Sequence, residues 1–542
     1  MSVARSSLAM AGGTTASRVL GVVRQSLIVL AIGQGLTANA FTTANTLPNV
    51  IYMLVAGGVL SSVLVPQLVK ASQRADGGRE FTDRLLSVAF GGLLVVTVVA
   101  TVAASWLVRL YAGQLAGSAL DLATFFAVIT IPQIFFYGVY GLLGQVLNAR
   151  GQFAAFGWSP ALANVVAIVG LVAFMLLFDG HVPPSDWTAP MVWWFAGTAT
   201  ASIAAQALIL AFPLWRKGFR FRPRLGVRGV GLGATSRVAG WAFGALLVSQ
   251  LAYLVASRVM WRATGDTEAP RAAGEPFVAG VAVWANALFV FMVPHSLVAL
   301  SLFTAMYPRI AKAVHDEDFP ALRRDYAQGL TVPAAITLPA SAALIVFALP
   351  LTGLLYTSKD PAEIPATAAV LACLAPGILP FGVDVLNQRF LYAFEDGAKA
   401  FTTQVVLTAT AVAVTLSSLA FAPQLTVPVI AIGLVVSNLA SSAFGMTLVR
   451  RRIGPFGLFG VVRSWVRIII ASVLASWVAW GAVLILTRVL PGRGRLSDLV
   501  ILAVGGALFG GVYYLLARVF HIAEVARYVD PVMDRLRRRT SE

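Results

Sequence analysis

Two arginines lie in a stretch that is apolar enough to enter a membrane. Residues 17–35 read SRVLGVVRQSLIVLAIGQG, which places Arg18 and Arg24 among leucine, valine and isoleucine. An arginine at the centre of a spanning helix costs about 2.5–3.5 kcal/mol on insertion scales. A guanidinium group binds phosphate and carboxylate oxygens through paired donors. The chemistry that would use both charges is therefore the binding of an anionic group inside the membrane.

The polar residues around these arginines follow a helical spacing. One helix face carries Thr14, Ser17, Arg18, Gly21, Arg24 and Gln25. The next apolar segment repeats the pattern with Asn39, Thr42, Thr43, Thr46 and Asn49. Polar stripes cannot face lipid, so they predict an internal, water-accessible chamber or pairing with each other. The predicted substrate-binding residues are Ser17, Arg18, Arg24, Asn39 and Asn49.

Acidic partners for intramembrane arginines are scarce in this sequence. Of the acids, only Asp384 lies well inside a predicted span, with Asp121 at an edge. An anionic ligand is therefore favoured for Arg18 and Arg24, with structural pairing or snorkelling as the alternatives. Arg389 stands five residues after Asp384, an imperfect helical pair, and we name these two residues as a polar or ion-coupling site.

The composition is that of an all-α polytopic membrane protein. The 542 residues are 58% hydrophobic and 12% charged, with a mean hydropathy of +0.82. The formal charge of +17 follows from the positive-inside rule better than from nucleic-acid binding. The single cysteine, Cys373, excludes an internal disulfide. The four scattered histidines favour neither a metal nor a cofactor site.

Hydropathy and loop charge predict about fourteen transmembrane helices with both termini in the cytoplasm. Lysine and arginine concentrate in the loops assigned to the cytoplasm and in the C-terminal tail. The predicted spans are 6–32, 38–66, 86–107, 119–147, 155–178, 190–213, 233–259, 277–307, 328–356, 365–393, 399–420, 426–449, 466–487 and 498–518.

An internal repeat of six spans divides the chain. IPQIFFYGVYGLLGQVLNA from Ile131 aligns with APGILPFGVDVLNQRFLYA from Ala375 at an offset of 244, with Pro132 meeting Pro376. Two copies of an even number of spans have the same orientation, as in parallel-repeat transporters. We predict an N-terminal lobe over 1–228, a C-terminal lobe over 229–452, and a final helix pair with a basic tail over 453–542. Candidate hinges are Pro48, Gly57, Gly58 and Pro294.

The first two spans resemble the opening of the MurJ (MviN) family, lipid II flippases of the multidrug/oligosaccharidyl-lipid/polysaccharide (MOP) exporter superfamily. The matching pieces are SRVLGVVR at 17–24, AFTTANTLPN at 40–49 and GVLSSVLVP at 58–66. The resemblance extends over the whole chain and implies a two-lobed cationic chamber working by alternating access. It implies an undecaprenyl-diphosphate-type peptidoglycan precursor as substrate, a groove for its polyprenyl tail near the last two helices, and the bacterial plasma membrane as location.

Arg18 and Arg24 coincide with family positions thought to be required, and several other positions depart from the family pattern. Family acids are replaced by Gln25, Asn39 and Gly57, and family arginines by Tyr52 and Phe289. The acids in the eleventh and twelfth spans that build an ion site in relatives are absent here. These departures resemble an actinobacterial-type branch, and they make the chamber less polar while leaving it net positive.

The leading function is therefore export of lipid II for cell wall synthesis. One alternative is a sibling MOP exporter of another polysaccharide lipid or of drugs, although drug and cation exporters favour an acidic chamber. A polyprenyl-dependent membrane enzyme would need carboxylates at the external mouth, and residues 33–37 contain none. A scaffold for wall machinery would leave the polar stripes unexplained. Expected partners are the lipid-linked precursor and membrane lipids, with the wall-synthesis machinery left open.

Overall fold

A computed structural model of the chain describes residues 3–56, 79–113, 115–149, 153–216, 220–224, 237–265, 276–490, 494–522 and 524–525. Regular secondary structure in these ranges is helical throughout. This is the expected outcome for a chain that crosses lipid, where each backbone polar group must be satisfied within its own segment. The all-α prediction is confirmed. The candidate hinges Gly57 and Gly58 lie outside the described residues.

Twelve helical stretches among the described residues are long and apolar enough to cross a membrane, and 281–297 is a shorter apolar helix. Each of the fourteen predicted spans falls on one helix or on consecutive helices. The predicted span 38–66 is only partly described, and its described helix carries the stripe of asparagine and threonine that lowers its hydropathy. The chain is thus a multi-pass membrane protein, with about fourteen as an approximate count.

Contacts divide the chain into two compact units. Unit 1 comprises Met1–Ala282 together with Leu355–Glu363, and unit 2 comprises Val283–Leu354 with Ile364–Glu542. This division rests on spatial contact, whereas the boundaries at 228 and 452 rest on sequence similarity and remain predictions. Helix Arg237–Thr264 follows the first predicted lobe in sequence, but it contacts helices Leu36–Val55 and Ala104–Ala112 of unit 1.

Unit 1 is built from ten described helices. They are α1 (Val3–Ile32), α2 (Leu36–Val55), α3 (Arg79–Val102), α4 (Ala104–Ala112), α5 (Gly117–Thr130), α6 (Gln133–Ala149), α7 (Phe153–Leu177), α8 (Ala189–Leu208), α9 (Ala211–Arg216) and α10 (Arg237–Thr264). Aromatic rings fill the space between them: Phe41 lies 5.4 Å from Phe126 and 4.7 Å from Phe195 between ring centroids, both edge to face. Such pairs contribute about 0.5–1.5 kcal/mol each beyond their buried area.

Unit 2 contains ten more helices, the first of which begins in unit 1. They are α11 (Val281–His315), α12 (Phe319–Thr331), α13 (Ala334–Val346), α14 (Ala348–Leu355), α15 (Glu363–Leu374), α16 (Ile378–Ala393), α17 (Gly397–Ser417), α18 (Thr426–Ile453), α19 (Leu458–Val489) and α20 (Arg495–Val519). Its core centres on Tyr326, whose ring packs edge to face against Phe390 at 4.9 Å and Phe456 at 4.8 Å.

Prolines interrupt the two copies of the sequence repeat at the same place. Pro132 stands between α5 and α6, and Pro376 lies in the short 3₁₀ turn between α15 and α16. A proline has no N–H to donate, so the helical hydrogen bonding is broken at both sites. Pro48 and Pro294 are instead inside α2 and α11, where the helices continue through them. Their role as hinges remains a prediction.

Candidate functional site

The first helix is held by close contact with α7. A Cβ added to Gly13 would lie 2.6 Å from the carbonyl oxygen of Gly157, so the two backbones touch where no side chain intervenes. One turn further on, Asn164 Nδ2 donates to the backbone oxygen of Ser17 at 2.9 Å and to its Oγ at 3.2 Å. Ser17, predicted to bind substrate, is thus engaged in fixing α1 against α7.

The two faces of α1 have opposite surroundings. Val19 and Val23 are 61% and 42% exposed on the outer face, as expected for side chains that contact lipid. Arg18, Arg24 and Gln25 are each partly buried on the other side. From Ser17 to Gln25 the polar stripe inferred from the helical period is therefore turned into the protein, whereas Thr14 at its start is exposed.

Arg24 reaches a cavity of about 130 Å³ inside unit 1. Polar side chains come to it from four helices, α1, α2, α6 and α8, and apolar residues of α1, α2, α7 and α8 complete the wall. The polar lining consists of Arg24, Gln25, Asn45, Gln133, Tyr137, Thr198 and Ser202. Asn45, Gln133 and Tyr137 were missed by the sequence interpretation. Each is a polar residue inside a predicted span, and Asn45 lies one turn before Asn49, so the signal was present.

Three polar residues of the cavity wall, Asn45, Gln133 and Tyr137, belong to one chain of hydrogen bonds. Tyr137 Oη donates to Gln133 Oε1 at 3.3 Å, and Gln133 Nε2 donates to Asn45 Oδ1 at 3.1 Å and to Thr200 Oγ1 at 3.3 Å. Thr200 Oγ1 in turn donates to the backbone oxygen of Ile129 at 2.8 Å. Because each side chain is fixed by the next, the wall of the cavity is preorganised.

The Arg24 guanidinium is the cation of this cavity, and the lining contains no aspartate or glutamate. Its buried Nε has no hydrogen-bond partner among the described residues. A buried charge without an opposite charge is costly. The arrangement favours an anionic or strongly hydrogen-bond-accepting group beside Arg24, which is the chemistry expected from the sequence. A role for Arg18 in the same binding stays a prediction, since Arg18 is not part of the cavity wall.

Asn39 is placed differently from the other predicted binding residues. It is buried, and its Oδ1 accepts a hydrogen bond from the backbone N–H of Ala282 at 2.9 Å, in the first turn of α11. A Cβ on Gly280 would lie 2.4 Å from Asn39 Nδ2, so the chain approaches this amide closely. Asn39 therefore caps a helix. Asn49 is partly buried on α2, and substrate binding by either residue remains a prediction.

Asp384 and Arg389 in unit 2 have separate partners. Asp384 accepts hydrogen bonds from Ser441 Oγ at 2.5 Å and from Gln388 Nε2 at 2.8 Å. The Arg389 guanidinium lies over the ring of Tyr307, 5.5 Å from its centroid. The i, i+5 spacing thus places the two side chains beside different partners, and a polar or ion-coupling role for either residue remains a prediction.

Unit 2 also contains an apolar cavity of about 310 Å³ between α13 and α20. Its wall includes Ile336, Pro339, Ala343, Phe509 and Tyr513, with Glu524 at one end. Small residues of α13 leave room beside the larger rings of α20. A site of this kind can accept a hydrocarbon chain.

Two solved structures have the same fold as this chain. One titled lipid II flippase MurJ, inward closed conformation, matches with a TM-score of 0.70 at 15% identity and covers 94% of this chain and 98% of that chain. An inward-facing multidrug resistance MATE family transporter of the MOP superfamily matches at 0.66 with 17% identity, covering 81% and 95%. The chain therefore has the fold that these two solved structures share.

The family follows from sequence. A family model described as lipid II flippase MurJ matches residues 28–504. The chain is 27% identical over 404 residues to lipid II flippase MurJ of Burkholderia cenocepacia, covering 73% of this chain and 74% of the relative. It is 25% identical over 485 residues to a probable lipid II flippase MurJ of Synechocystis, covering 87% and 86%. The chain belongs to the MurJ family.

Proposed function

We propose that this chain is a lipid II flippase, moving the undecaprenyl-diphosphate-linked peptidoglycan precursor from the inner to the outer leaflet by alternating access. The observation that carries the proposal is the Arg24 cavity, in which a guanidinium faces neutral polar groups and no acid. Membership of the MurJ family agrees with it. The product of the transport is the precursor presented for cell wall synthesis.

The headgroup chemistry fits Arg24. A diphosphate carries about two charges that must shed water on entering a low-dielectric site, and paired guanidinium donors replace that water. Arg18 lies six residues earlier on the same helix, about 9 Å away along the axis at 1.5 Å per residue. One arginine would hold the diphosphate while the other meets a sugar or peptide carboxylate, or the two would act on the headgroup in succession.

The cavity between α13 and α20 is the proposed site for part of the polyprenyl tail. Its wall is almost entirely apolar, so a hydrocarbon chain can occupy it without burying a polar group that lacks a hydrogen bond. A single 310 Å³ cavity holds only part of a long polyprenyl chain, so the remainder would lie in the bilayer.

Export of a cationic drug is the second candidate, because the fold is shared with MATE transporters. A cation would need an acidic partner in its binding site, and the wall around Arg24 supplies none. The electrostatics of unit 1 therefore favour the anionic lipid.

The proposed location is the bacterial plasma membrane with both termini in the cytoplasm. Single cysteines introduced within 180–188 and 421–425, in a Cys373→Ser background, should react with an impermeant maleimide added from outside. Reaction only after permeabilisation would contradict the proposed orientation of the chain in the membrane. The enzymes that build the cell wall are proposed as partners, because they would take up the exported precursor. Co-purification of these enzymes with the chain after cross-linking would test that contact.

The function is tested by replacing the native protein in cells with variants of the same chain. Arg18→Ala and Arg24→Ala should accumulate in the membrane at normal levels but fail to sustain wall synthesis as sole copy. Lysine at either position should rescue only in part, because it keeps the charge but loses the planar fork. Arg451→Ala, which removes an exposed arginine at the end of α18, is the matched control and should grow normally.

If both alanine variants support growth at normal protein levels, the proposed anion-binding role of these arginines is wrong. If the wild-type chain itself does not replace a depleted lipid II flippase, the proposed substrate is wrong.

A further inference from the structure

Four acidic residues are buried in the described part of the chain, and they differ in what neutralises them. They are Asp83, Asp325, Glu363 and Asp384. Asp325, 3% exposed, is paired with Arg309 Nη2 at 2.8 Å. Asp384, 4% exposed, receives its hydrogen bonds from a serine hydroxyl and a glutamine amide. Two acids of equal burial in one unit thus face a cation in one case and neutral groups in the other.

The hydrogen bonds around Ser441 indicate which form of Asp384 fits. Ser441 Oγ lies 2.5 Å from Asp384 Oδ1 and 3.1 Å from the backbone oxygen of Thr403. A hydroxyl has one hydrogen, so with an ionised Asp384 both oxygens must compete for it. If Asp384 carries a proton, its O–H donates to Ser441 Oγ and the Ser441 hydroxyl donates to Thr403. Each contact then has its own hydrogen, and Gln388 Nε2 still donates to Oδ2.

Among the described residues, the helices packed against α16 supply no cation to Asp384. These helices are α11, α12, α13, α17 and α18. On α11, the His295 ring lies edge to face against Phe381 of α16 at 4.4 Å between centroids, Arg309 pairs with Asp325, and Lys312 and His315 are exposed. Helix α13 has no titratable residue. On α12, Arg323 Nε donates to the backbone oxygen of Ile453, and Arg324 is exposed. The remaining titratable residues of α12 are Asp325, paired with Arg309, and Tyr326, which donates to Asn387.

The other two neighbouring helices place their charges elsewhere. Lys399 of α17 pairs with Asp396 at 2.7 Å, and Arg452 of α18 reaches the same carboxylate at 3.0 Å. Arg450 and Arg451 are exposed. On α16 itself, Arg389 lies over Tyr307, and Tyr392 follows one turn later. Asp384 is therefore surrounded by neutral hydrogen-bonding groups.

We propose that Asp384 is a proton-binding site of this transporter. Binding forms one O–H bond between a carboxylate oxygen and a proton from water, and the Ser441 hydroxyl turns from Asp384 to Thr403. Release reverses both steps and leaves a carboxylate in a neutral environment, so the two protonation states differ in the charge of Asp384 and in the acceptor of the Ser441 hydroxyl. That uptake and release accompany the transport cycle is a further step, and it rests on the proposed flippase function.

Infrared difference spectroscopy of the full-length protein in nanodiscs tests proton binding directly. The wild type should show the carbonyl band of a protonated, hydrogen-bonded carboxyl, and the band should shift in D₂O. Asp384→Asn should lack this band. Asp325→Asn is the matched control and should keep it, because Asp325 faces Arg309 as a carboxylate. Equal spectra for the wild type and Asp384→Asn would overturn the proposal.

A second variant keeps the test decisive if Asp384→Asn folds poorly. Ser441→Ala leaves Asp384 in place but removes the oxygen that accepts the hydrogen bond from its O–H, so the carbonyl band should move in frequency. An unmoved band would show that Ser441 is not the partner of a protonated Asp384 and would contradict the proposal.

Coupling to transport is tested with lipid II in proteoliposomes over a series of pH values. The wild-type rate should depend on pH, and Asp384→Asn, which reproduces the hydrogen bonds of the protonated form, should lose that dependence. Identical pH profiles would refute coupling while leaving the flippase function intact. If the wild type moves no lipid II at any pH, the proposed function fails, and the infrared experiment still decides proton binding.

Discussion

Replacing Asn39 separates a structural role from a substrate-binding role for this residue. Asn39→Leu keeps a similar volume but removes the oxygen that accepts from the Ala282 N–H in the first turn of α11. An unsatisfied buried donor costs about 1–3 kcal/mol. The variant should therefore lose about 1–3 kcal/mol of unfolding free energy, which is roughly a 5- to 150-fold change in the folding equilibrium.

Asn39→Asp should instead leave the unfolding free energy nearly unchanged. A carboxylate keeps the acceptor and places negative charge at a helix N-terminus, which contributes about 0.3–1 kcal/mol against the cost of burying the charge. This variant should unfold at nearly the wild-type denaturant concentration. The assay is reversible unfolding in mixed micelles followed by tryptophan fluorescence, with Asn49→Leu, a partly buried residue of the same helix, as control. Equal stability of Asn39→Leu and the wild type would refute the capping role.

Two further predictions concern stability. Gly13→Ala should destabilise the protein by about 1–3 kcal/mol through overpacking against the α7 backbone, whereas Gly12→Ala, whose added Cβ meets nothing closer than 3.9 Å, should be neutral in the same unfolding assay. The backbone N–H of His181 and the Lys359 ammonium lower the pKa of Asp179. The ionised Asp179 carboxylate therefore stabilises the folded protein above its unfolded-state pKa, and this contribution is lost as the pH falls through its lower folded-state pKa. Lys359→Ala should cost at most about 1 kcal/mol near neutral pH, because the pair is exposed, and nothing in acid or high salt; a cost that persists in acid would contradict this.

The sequence predicted the α1 stripe well because two simple constraints act there. A helix in lipid has a fixed period, and charged or polar side chains must leave its lipid face. These constraints turn Arg24 and Gln25 away from lipid, but they do not tell which residues of the stripe reach the cavity, since Arg18 does not. The interruptions at Pro132 and Pro376 could not be predicted, because Pro48 and Pro294 lack the same helical donor and yet lie inside continuous helices.

Contacts between distant residues could not be predicted in this way. Asn39 and Ala282 are 243 residues apart, and no period in the sequence links them. The chain from Tyr137 through Gln133 to Asn45 depends on how α2 and α6 pack, which the hydropathy pattern leaves open. The sequence shows Asp384 as a lone acid inside a predicted span. It does not show that Ser441 and Gln388 are its hydrogen-bond partners, because Ser441 is distant in sequence.

The most direct test of the central claim is lipid II translocation by purified protein in proteoliposomes, comparing the wild type with Arg24→Ala at equal reconstituted amounts. If the Arg24 cavity takes the diphosphate headgroup, the wild type should move lipid II across the bilayer and Arg24→Ala should be reduced to the rate of protein-free vesicles. Translocation by Arg24→Ala at the wild-type rate would contradict the account.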